Sequence, residues 1–138
     1  MTTKRTSELF EETLTRSVIG AFYEVYRELG FGFREYIYSR SLEKALAQRG
    51  HSVGREVPTM VYYGGEPVAQ QVLDMIVDEK LVIEIKATEH PHPSAAAQLF
   101  SYLSATQLEV GLVLHFGRKA KFHRVFYENR LKRHINRS

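Results

Sequence analysis

Residues 73–86 read LDMIVDEKLVIEIK, and this stretch decides the fold. It holds two β-prone segments joined by Asp78-Glu79-Lys80, with Asp74 on the first segment and Glu84 and Lys86 on the second. Side chains alternate across a strand, so Glu84 and Lys86 share one face. The opposite, buried face of the second segment carries the apolar residues Leu81, Ile83, Ile85 and Ala87.

The length of the connection determines whether the two acids meet. If residues 78–80 form the loop of an antiparallel hairpin, Val77 faces Leu81 and Asp74 faces Glu84. Opposed residues lie about 5 Å apart at Cβ, close enough to share one metal ion. A loop with an even number of residues would put the acids on opposite faces unless a bulge intervened. The register is therefore a prediction.

These residue types suit the hydrolysis of a phosphodiester. Mg²⁺, or Mn²⁺ as an alternative, takes oxygen ligands from Asp74 and Glu84, and the carbonyl of Ile85 can add another. A water bound to the ion can attack phosphorus while the Lys86 ammonium stabilises charge on the phosphate oxygens. A half-buried strand with a solvated outer face would give the same sequence pattern, and that alternative stays open at this point.

The rest of the chain predicts one α/β domain, residues 1–138, with a mixed central sheet. The order is ααβββαββ, and a first helix capped by Ser7 buries an apolar stripe that starts at Phe10 and ends at Leu29. Gly30-Phe31-Gly32 ends that helix. Further helices are predicted over Arg34–Arg49 and, capped by Ser94, to about Thr106. Strand-type sequence begins near Ser52, with a β-prone stretch over Val57–Tyr63, and further strands are predicted over Val68–Val77, Leu81–Ala87, Leu108–Phe116 and Phe122–Tyr127.

Three further residues are candidates for the same site. Gln98 and Tyr102 share one face of the third helix, where such a pair can position a DNA phosphate or a metal-bound water. Glu24 lies at the flank of the first helix's apolar stripe, one turn after Gly20, whose small size would let another element approach. Glu24 can therefore add a third carboxylate to the metal, although a solvated acid explains it equally well.

Charge is distributed unevenly along the chain. Residues 1–116 hold 11 Lys/Arg and 15 Asp/Glu, whereas residues 117–138 hold 8 Lys/Arg and Glu128 as their one acid. A basic C-terminal tail from about residue 128 predicts an anionic partner, nucleic acid ahead of a membrane, or simply a solvated end. The best candidates for phosphate contacts are Arg118, Lys119, Lys121 and Arg124.

Other features restrict the class of protein. The chain contains no Cys, which excludes disulfides and thiolate metal sites. No apolar run approaches the length of a membrane span, and the start of the chain has no signal-peptide segment, so a cytoplasmic location is expected. His90 and His92 form a His-x-His pair without an apparent third ligand, and we interpret their loop as exposed and close enough to the site to contact substrate.

The chain resembles the GxxExxY family, a branch of the PD-(D/E)xK nuclease superfamily. The naming motif stands at Gly32, Glu35 and Tyr38, and the resemblance extends from about Leu14 to Phe126. The segments that carry it are residues 19–30, Asp74, Glu84-Ile85-Lys86-Ala87 and Gln98-Leu99-Phe100-Ser101-Tyr102.

This resemblance implies a restriction-endonuclease-like core, αβββαβ, with one extra helix in the N-terminal region. It implies Mg²⁺-dependent cleavage of DNA, ahead of RNA, with Asp74 and Glu84 as metal ligands and Lys86 as the catalytic lysine. Glu24 would be the helix-borne acid, and the pair at Gln98 and Tyr102 is similar to that of RecB-type exonucleases. Leu73 stands where the superfamily motif has Pro.

Three interpretations remain open at this stage. The first is a metal-dependent nuclease, and the second is a non-catalytic nucleic-acid-binding or adaptor domain on the same scaffold. The third is a homodimeric interaction module, because Tyr and Phe are plentiful, with 8 of each. Glu35 and Tyr38 also stay ambiguous, since a first-turn acid and a packed Tyr serve a helix structurally as well as catalytically.

Overall fold

A five-stranded mixed sheet with helices on both faces forms the structure, a computed structural model that describes the backbone of residues 6–136 and the side chains of residues 11–133 and 135. The predicted order ααβββαββ is confirmed, and two short helical turns follow it. The elements are α1 (Thr6–Leu29), α2 (Glu35–Gln48), β1 (Val53–Tyr63), β2 (Glu66–Val77), β3 (Leu81–Lys86), α3 (Ala95–Ala105), β4 (Val110–Phe116), β5 (Ala120–Phe126), a 3₁₀ turn (Asn129–Leu131) and α4 (Arg133–Asn136).

The strands lie in the order β1-β2-β3-β4-β5. β3 and β4 pair in parallel, and every other neighbouring pair is antiparallel. A parallel pair needs a crossover connection, and α3 supplies it between β3 and β4. The carboxyl ends of β3 and β4 therefore open at the same edge of the sheet.

Two apolar clusters cover the two faces of the sheet. α1 and α2 pack on one face, where Phe22, Tyr38 and Phe116 are fully buried. α3 packs on the other face, where Val82 and Leu99 belong to a smaller cluster. Because both faces of β3 carry buried side chains, its Glu84 and Lys86 are not the solvated outer face of a one-sided sheet. Among the residues described, no helix has the length and apolar character needed to cross a membrane.

Of the two predicted helix caps, one lies at the predicted position and the other does not. Ser7 lies inside α1, which already includes Thr6, and its side chain falls outside the described residues, as does that of Phe10. Ser94 does directly precede α3 but makes no side-chain cap bond. Its hydroxyl instead lies 2.7 Å from Nδ1 of His92, because the Pro-rich loop brings that imidazole close enough to compete with the helix N–H groups.

The turn between α1 and α2 positions the start of α2 at the sheet edge. Gly30 and Gly32 both have positive φ, 69° and 119°, a conformation that glycine adopts without a steric penalty. The hydroxyl of Tyr38 donates to the carbonyl of Gly30 and accepts the N–H of Phe33. The turn is therefore tied to the second turn of α2.

Candidate active site

The hairpin of β2 and β3 has the predicted register. Val77 pairs with Leu81 and the ladder continues to Met75 and Ile83, so residues 78–80 form the connection. Asp74 is the next residue on β2 and Glu84 the next on β3. The two carboxyl groups are close enough to share a hydrogen bond.

Asp74 lies where β2 separates from β3. Regular alternation along β2 would put Leu73 and Met75 on the same face of the sheet. Instead, Leu73 packs with Ile76 in the cluster under α3 and Met75 packs on the opposite face, so the alternation breaks at Asp74. The backbone N–H of Ile85 donates to Oδ2 of Asp74 at 3.1 Å. The β2–β3 ladder ends before Ile85, so the carboxylate replaces a β2 carbonyl as the acceptor for this N–H group. The bond holds Asp74 against β3.

The backbone of β1 is also irregular at this level. Arg55 pairs with Met75 and Val57 with Leu73, which leaves Glu56 level with Asp74. Glu56 has a φ of 54°, which costs a non-glycine residue on the order of 1 kcal/mol. Glu56 and Asp74 line the same cavity of about 190 Å³. The backbones of β1 and β2 are therefore both irregular at the level where Asp74 faces the cavity.

Glu84 is a half-buried acid among charged neighbours. Burial raises its pKa to about 7, and the nearby carboxylate of Asp74 contributes to the rise. Lys86 opposes the shift without cancelling it. The protein alone therefore leaves an excess of negative charge here, which a cation would neutralise.

The third acid of this cluster is Glu35, which the sequence argument left unassigned. It lines the 190 Å³ cavity with Asp74 and Ile85. Burial raises its pKa, Lys86 lowers it and Asp74 raises it further, so Glu35 lies within electrostatic reach of both. The signal that could have identified it is the Gly-x-x-Glu-x-x-Tyr spacing, because the Tyr38 bonds at the preceding turn aim the start of α2 at the sheet edge.

Glu24, predicted as the third carboxylate, is not brought to this cluster. Its Oε1 lies 3.6 Å from the guanidinium of Arg49, and it lines a different cavity between α1 and α2. Gly20 does allow the predicted close approach, since a Cβ there would lie 3.0 Å from Arg49 Nη1. The approaching group is a basic side chain from the end of α2 and not the sheet, so Glu24 pairs with that side chain.

Gln98 and Tyr102 lie on α3, beside the cluster but not in contact with its carboxylates in any described interaction. The hydroxyl of Tyr102 accepts a hydrogen bond from Nε2 of Gln71 at 3.2 Å, three residues along β2 from Asp74. Gln98 is exposed on the same helix.

Lys86 ends β3 and pairs level with His115 on β4. It lines a second cavity, of about 410 Å³, that opens beyond the acids. His92 from the Pro-rich loop lines this cavity too, so the predicted proximity of that loop to the site is confirmed. His115 is buried, and its Nε2 lies 3.0 Å from the hydroxyl of Thr88.

Basic residues surround this edge in different environments. Arg118 forms a 2.7 Å ion pair with Glu89, and Lys121 lines the larger cavity. Lys132, within the predicted basic tail, is buried, and its Nζ donates to the carbonyls of Thr106 and Leu108. Arg137 lies outside the described residues.

The donor set suits a hard divalent cation that keeps part of its water. In the part of the chain that the structure describes, no three His, Cys, Asp or Glu side chains are arranged to hold a metal ion by themselves. Asp74 and Glu84 with the Ile85 carbonyl would supply only part of an octahedral shell. Mg²⁺ commonly binds through one or two carboxylates and retains several waters, so this set fits it.

A family model of the PD-(D/E)XK nuclease superfamily matches residues 12–125. The chain therefore belongs to the PD-(D/E)XK nuclease superfamily, and its fold is restriction-endonuclease-like, as predicted. Membership of the GxxExxY branch stays a prediction. The crystal structure of SSO0001 aligns with a TM-score of 0.51 at 21% identity, over 88% of this chain and 61% of that one. That likeness concerns the fold alone, and a comparison with curated proteins finds no match.

Proposed function

We propose that the protein is a metal-dependent nuclease that hydrolyses DNA phosphodiester bonds. The observation that carries the proposal is the meeting of Asp74, Glu84 and Lys86 where β2 leaves β3, in a member of a nuclease superfamily. The raised pKa of Glu84 supports it, because burial and then the nearby carboxylate of Asp74 both disfavour the charged form of Glu84, and a bound cation would favour that form.

Each residue has a distinct task in this proposal. Asp74, Glu84 and the carbonyl of Ile85 would hold Mg²⁺, or Mn²⁺ as an alternative. When bound, the ion would lower the pKa of a water molecule and neutralise charge on the phosphate. Lys86 places its ammonium on a non-bridging phosphate oxygen. Glu35 lies within reach of Lys86 and Asp74, where it can orient the lysine.

Residues around the acids would contact the DNA backbone. Gln98 is exposed on α3 and can donate its amide to a phosphate, while the bond from Gln71 fixes the hydroxyl of Tyr102. Lys121 and the exposed Lys119 supply positive charge at the same edge of the sheet. We include Gln98 and Tyr102 as positioning residues, because neither contacts the acid cluster in a described interaction.

A cleavage assay tests the proposal. Labelled single- and double-stranded DNA and RNA are incubated with Mg²⁺, Mn²⁺ or EDTA, and wild type is compared with Lys86→Ala and with Lys44→Ala. Lys44 is an exposed lysine that lines the cavity beside Glu24, away from the site. We expect metal-dependent cutting that Lys86→Ala lowers by about 100-fold or more and Lys44→Ala leaves unchanged.

The assay also separates the alternative function. Binding that persists in EDTA, with no cutting under any metal, would reject the nuclease and favour a nucleic-acid-binding or adaptor domain. The predicted basic tail gives this alternative less support than its charge suggests, because Lys132 is buried and bonded to the protein's own carbonyls.

A further inference from the structure

The cavity beside Lys86 lies on the face of the sheet that α3 covers. Its volume is about 410 Å³, and the Pro-rich loop before α3 forms one of its walls. Lys86 pairs level with His115 on β4, and His115 pairs level with Lys121 on β5, so the three side chains share one face of the sheet. Val113, two residues from His115, packs in the cluster under α3, which identifies that face. Two lysines from different strands therefore line one cavity.

The charged groups that line this cavity are cations. Lys86 is shared with the acid cluster, whereas Lys121 lines this cavity and not the 190 Å³ cavity that contains Asp74. His92 and His123 add imidazoles that can donate hydrogen bonds. No Asp or Glu stands among the lining residues that the structure describes. A space lined by charge of one sign attracts ions of the opposite sign, so the lining favours an anion.

The start of α3 adds a second, separate attraction for an anion. Ala95 and Ala96 are the first residues of this 11-residue helix, whose first turn carries no acid, and both line the cavity. Ser94 makes no side-chain cap bond, because its hydroxyl pairs with His92. The first N–H groups of α3 therefore have no capping side chain, and the helix dipole favours negative charge at the same place.

We propose that this cavity binds the terminal phosphate of a DNA strand, so that the substrate is a phosphate-bearing DNA end. A phosphate inside the strand carries one negative charge. A phosphate monoester carries about −1.5 to −2 at neutral pH and offers three acceptor oxygens, which suits two lysines and a helix start better. The other walls, which include Pro91, Pro93 and Val113, are apolar and leave room for the terminal sugar. This inference rests on the proposed function, because Lys86 connects the cavity with the scissile phosphate.

Binding measured without metal tests the cavity apart from cleavage. Fluorescence anisotropy in EDTA compares one internally labelled DNA strand in three forms: with a 5′-phosphate, with a 3′-phosphate and with hydroxyls at both ends. We expect a phosphate at one of the two ends to raise affinity about tenfold, and the comparison identifies that end. Equal affinity in all three forms, or an equal gain from either end, overturns the inference. The nuclease proposal then stands, because cutting at an internal phosphate needs no phosphorylated end.

Two neighbouring lysines examine the charged lining. Lys121 and Lys119 are both exposed, but Lys121 lines the cavity and Lys119 does not. We expect Lys121→Ala to remove most of the preference for the phosphorylated end. Lys119→Ala should lower the affinity for phosphorylated and unphosphorylated strands alike and keep their ratio. Ratios that the two variants change equally would overturn the inference, and a thermal melt of each variant checks that the fold is retained.

Ser94→Asp examines the start of α3. Its carboxylate can accept the first N–H groups of the helix and places a negative charge at the cavity. We therefore expect the preference for the phosphorylated end to be lost while the melting temperature stays the same or rises. Ser94→Ala, which removes a hydroxyl that makes no cap bond, should keep the preference. A full preference in Ser94→Asp would overturn the inference, whereas a Lys121-dependent preference without metal-dependent cutting would support the cavity and reject the nuclease.

Discussion

Glu84 is the residue whose chemistry most constrains the site. Its usual pKa of 4.5 applies to the unfolded chain, whereas burial raises the value to about 7 in the folded protein. The folded protein therefore binds this proton more tightly than the unfolded chain does. The stabilisation is complete below the unfolded pKa and is lost as pH rises from 4.5 through about 7.

Glu84→Gln should remove this pH dependence. We expect the metal-free variant to exceed wild type in free energy of unfolding at pH 8, by on the order of 1–2 kcal/mol after allowance for partial exposure, and to match it near pH 4. Denaturant titrations across this pH range measure the difference. Glu28→Gln, at an exposed acid away from the site, is the control, and identical profiles for all three proteins would contradict the prediction.

The same residue makes metal binding visible without any nucleic acid. A cation that binds Asp74 and Glu84 must displace the Glu84 proton, so its affinity rises with pH through about 7. We expect millimolar Mg²⁺ or Mn²⁺ to raise the melting temperature of wild type by several degrees at pH 8, and less at pH 6. Glu84→Gln should abolish the shift. A shift that Glu84→Gln retains would place the cation elsewhere.

At the scale of elements, the Gly-x-x-Glu-x-x-Tyr motif at the start of α2 has two roles: one of its residues stabilises the α1–α2 turn and another lies at the candidate site. Tyr38 bonds the turn, and its ring stacks on Phe116 with centroids 4.2 Å apart. Glu35, one turn earlier on α2, reaches the acid cluster. The spacing of three residues puts the two on one side of the helix, so anchoring Tyr38 also fixes Glu35.

Tyr38→Phe should therefore lower mainly the stability of the fold, and Glu35→Gln mainly the cleavage activity. Tyr38→Phe leaves the Gly30 carbonyl and the Phe33 N–H without this partner, and we expect a loss of about 1–2 kcal/mol in free energy of unfolding. Glu35→Gln should keep or slightly raise stability while it lowers DNA cleavage at least tenfold. Denaturation and cleavage rates measured on both variants separate the roles. Loss of cleavage in neither variant would leave the motif purely structural.

Periodicity predicted the elements well, because each is set by neighbours in the chain. Val77 and Leu81 flank a three-residue connection and pair with each other. Asp74 and Glu84 each lie three residues from that pair, so the register brings them to the same level of the hairpin. Boundaries were less accurate: strand-type sequence was correctly predicted from near Ser52, but β2 begins at Glu66 and not at Val68, since pairing with β1 extends the strand to the turn. Ser94 is the N-cap residue of α3 as predicted, but it makes no side-chain cap bond because its hydroxyl pairs with His92.

At the scale of the whole molecule, part of the basic C-terminal region is buried in the fold. Burial lowers the pKa of Lys132 to about 8, and its ammonium bonds the carbonyls of Thr106 and Leu108 between α3 and β4. Only some of the positive charge counted after residue 116 is thus available to an anionic partner. Lys121 and Arg133, by contrast, are exposed.

Lys132→Ala should act on stability. We expect a loss of about 2–3 kcal/mol in free energy of unfolding, because two carbonyls lose their donor and a buried stem is removed. Arg133→Ala, at the next, exposed position, should change stability by less than about 0.5 kcal/mol. Urea denaturation measures both. Equal small losses would mean that Lys132 does not hold the end of the chain to α3.

The sequence by itself determined the element order and the meeting of Asp74, Glu84 and Lys86. These depend on a short loop and on the hairpin register that it sets, which are local properties, although the side-chain alternation of β2 breaks at Asp74. Tertiary structure alone decided that Glu35 and not Glu24 joins the acids, because that choice follows from how α2 and its Arg49 pack against α1. It also decided the cavity beside Lys86, whose walls come from segments far apart in the chain and meet only when α3 crosses over the sheet.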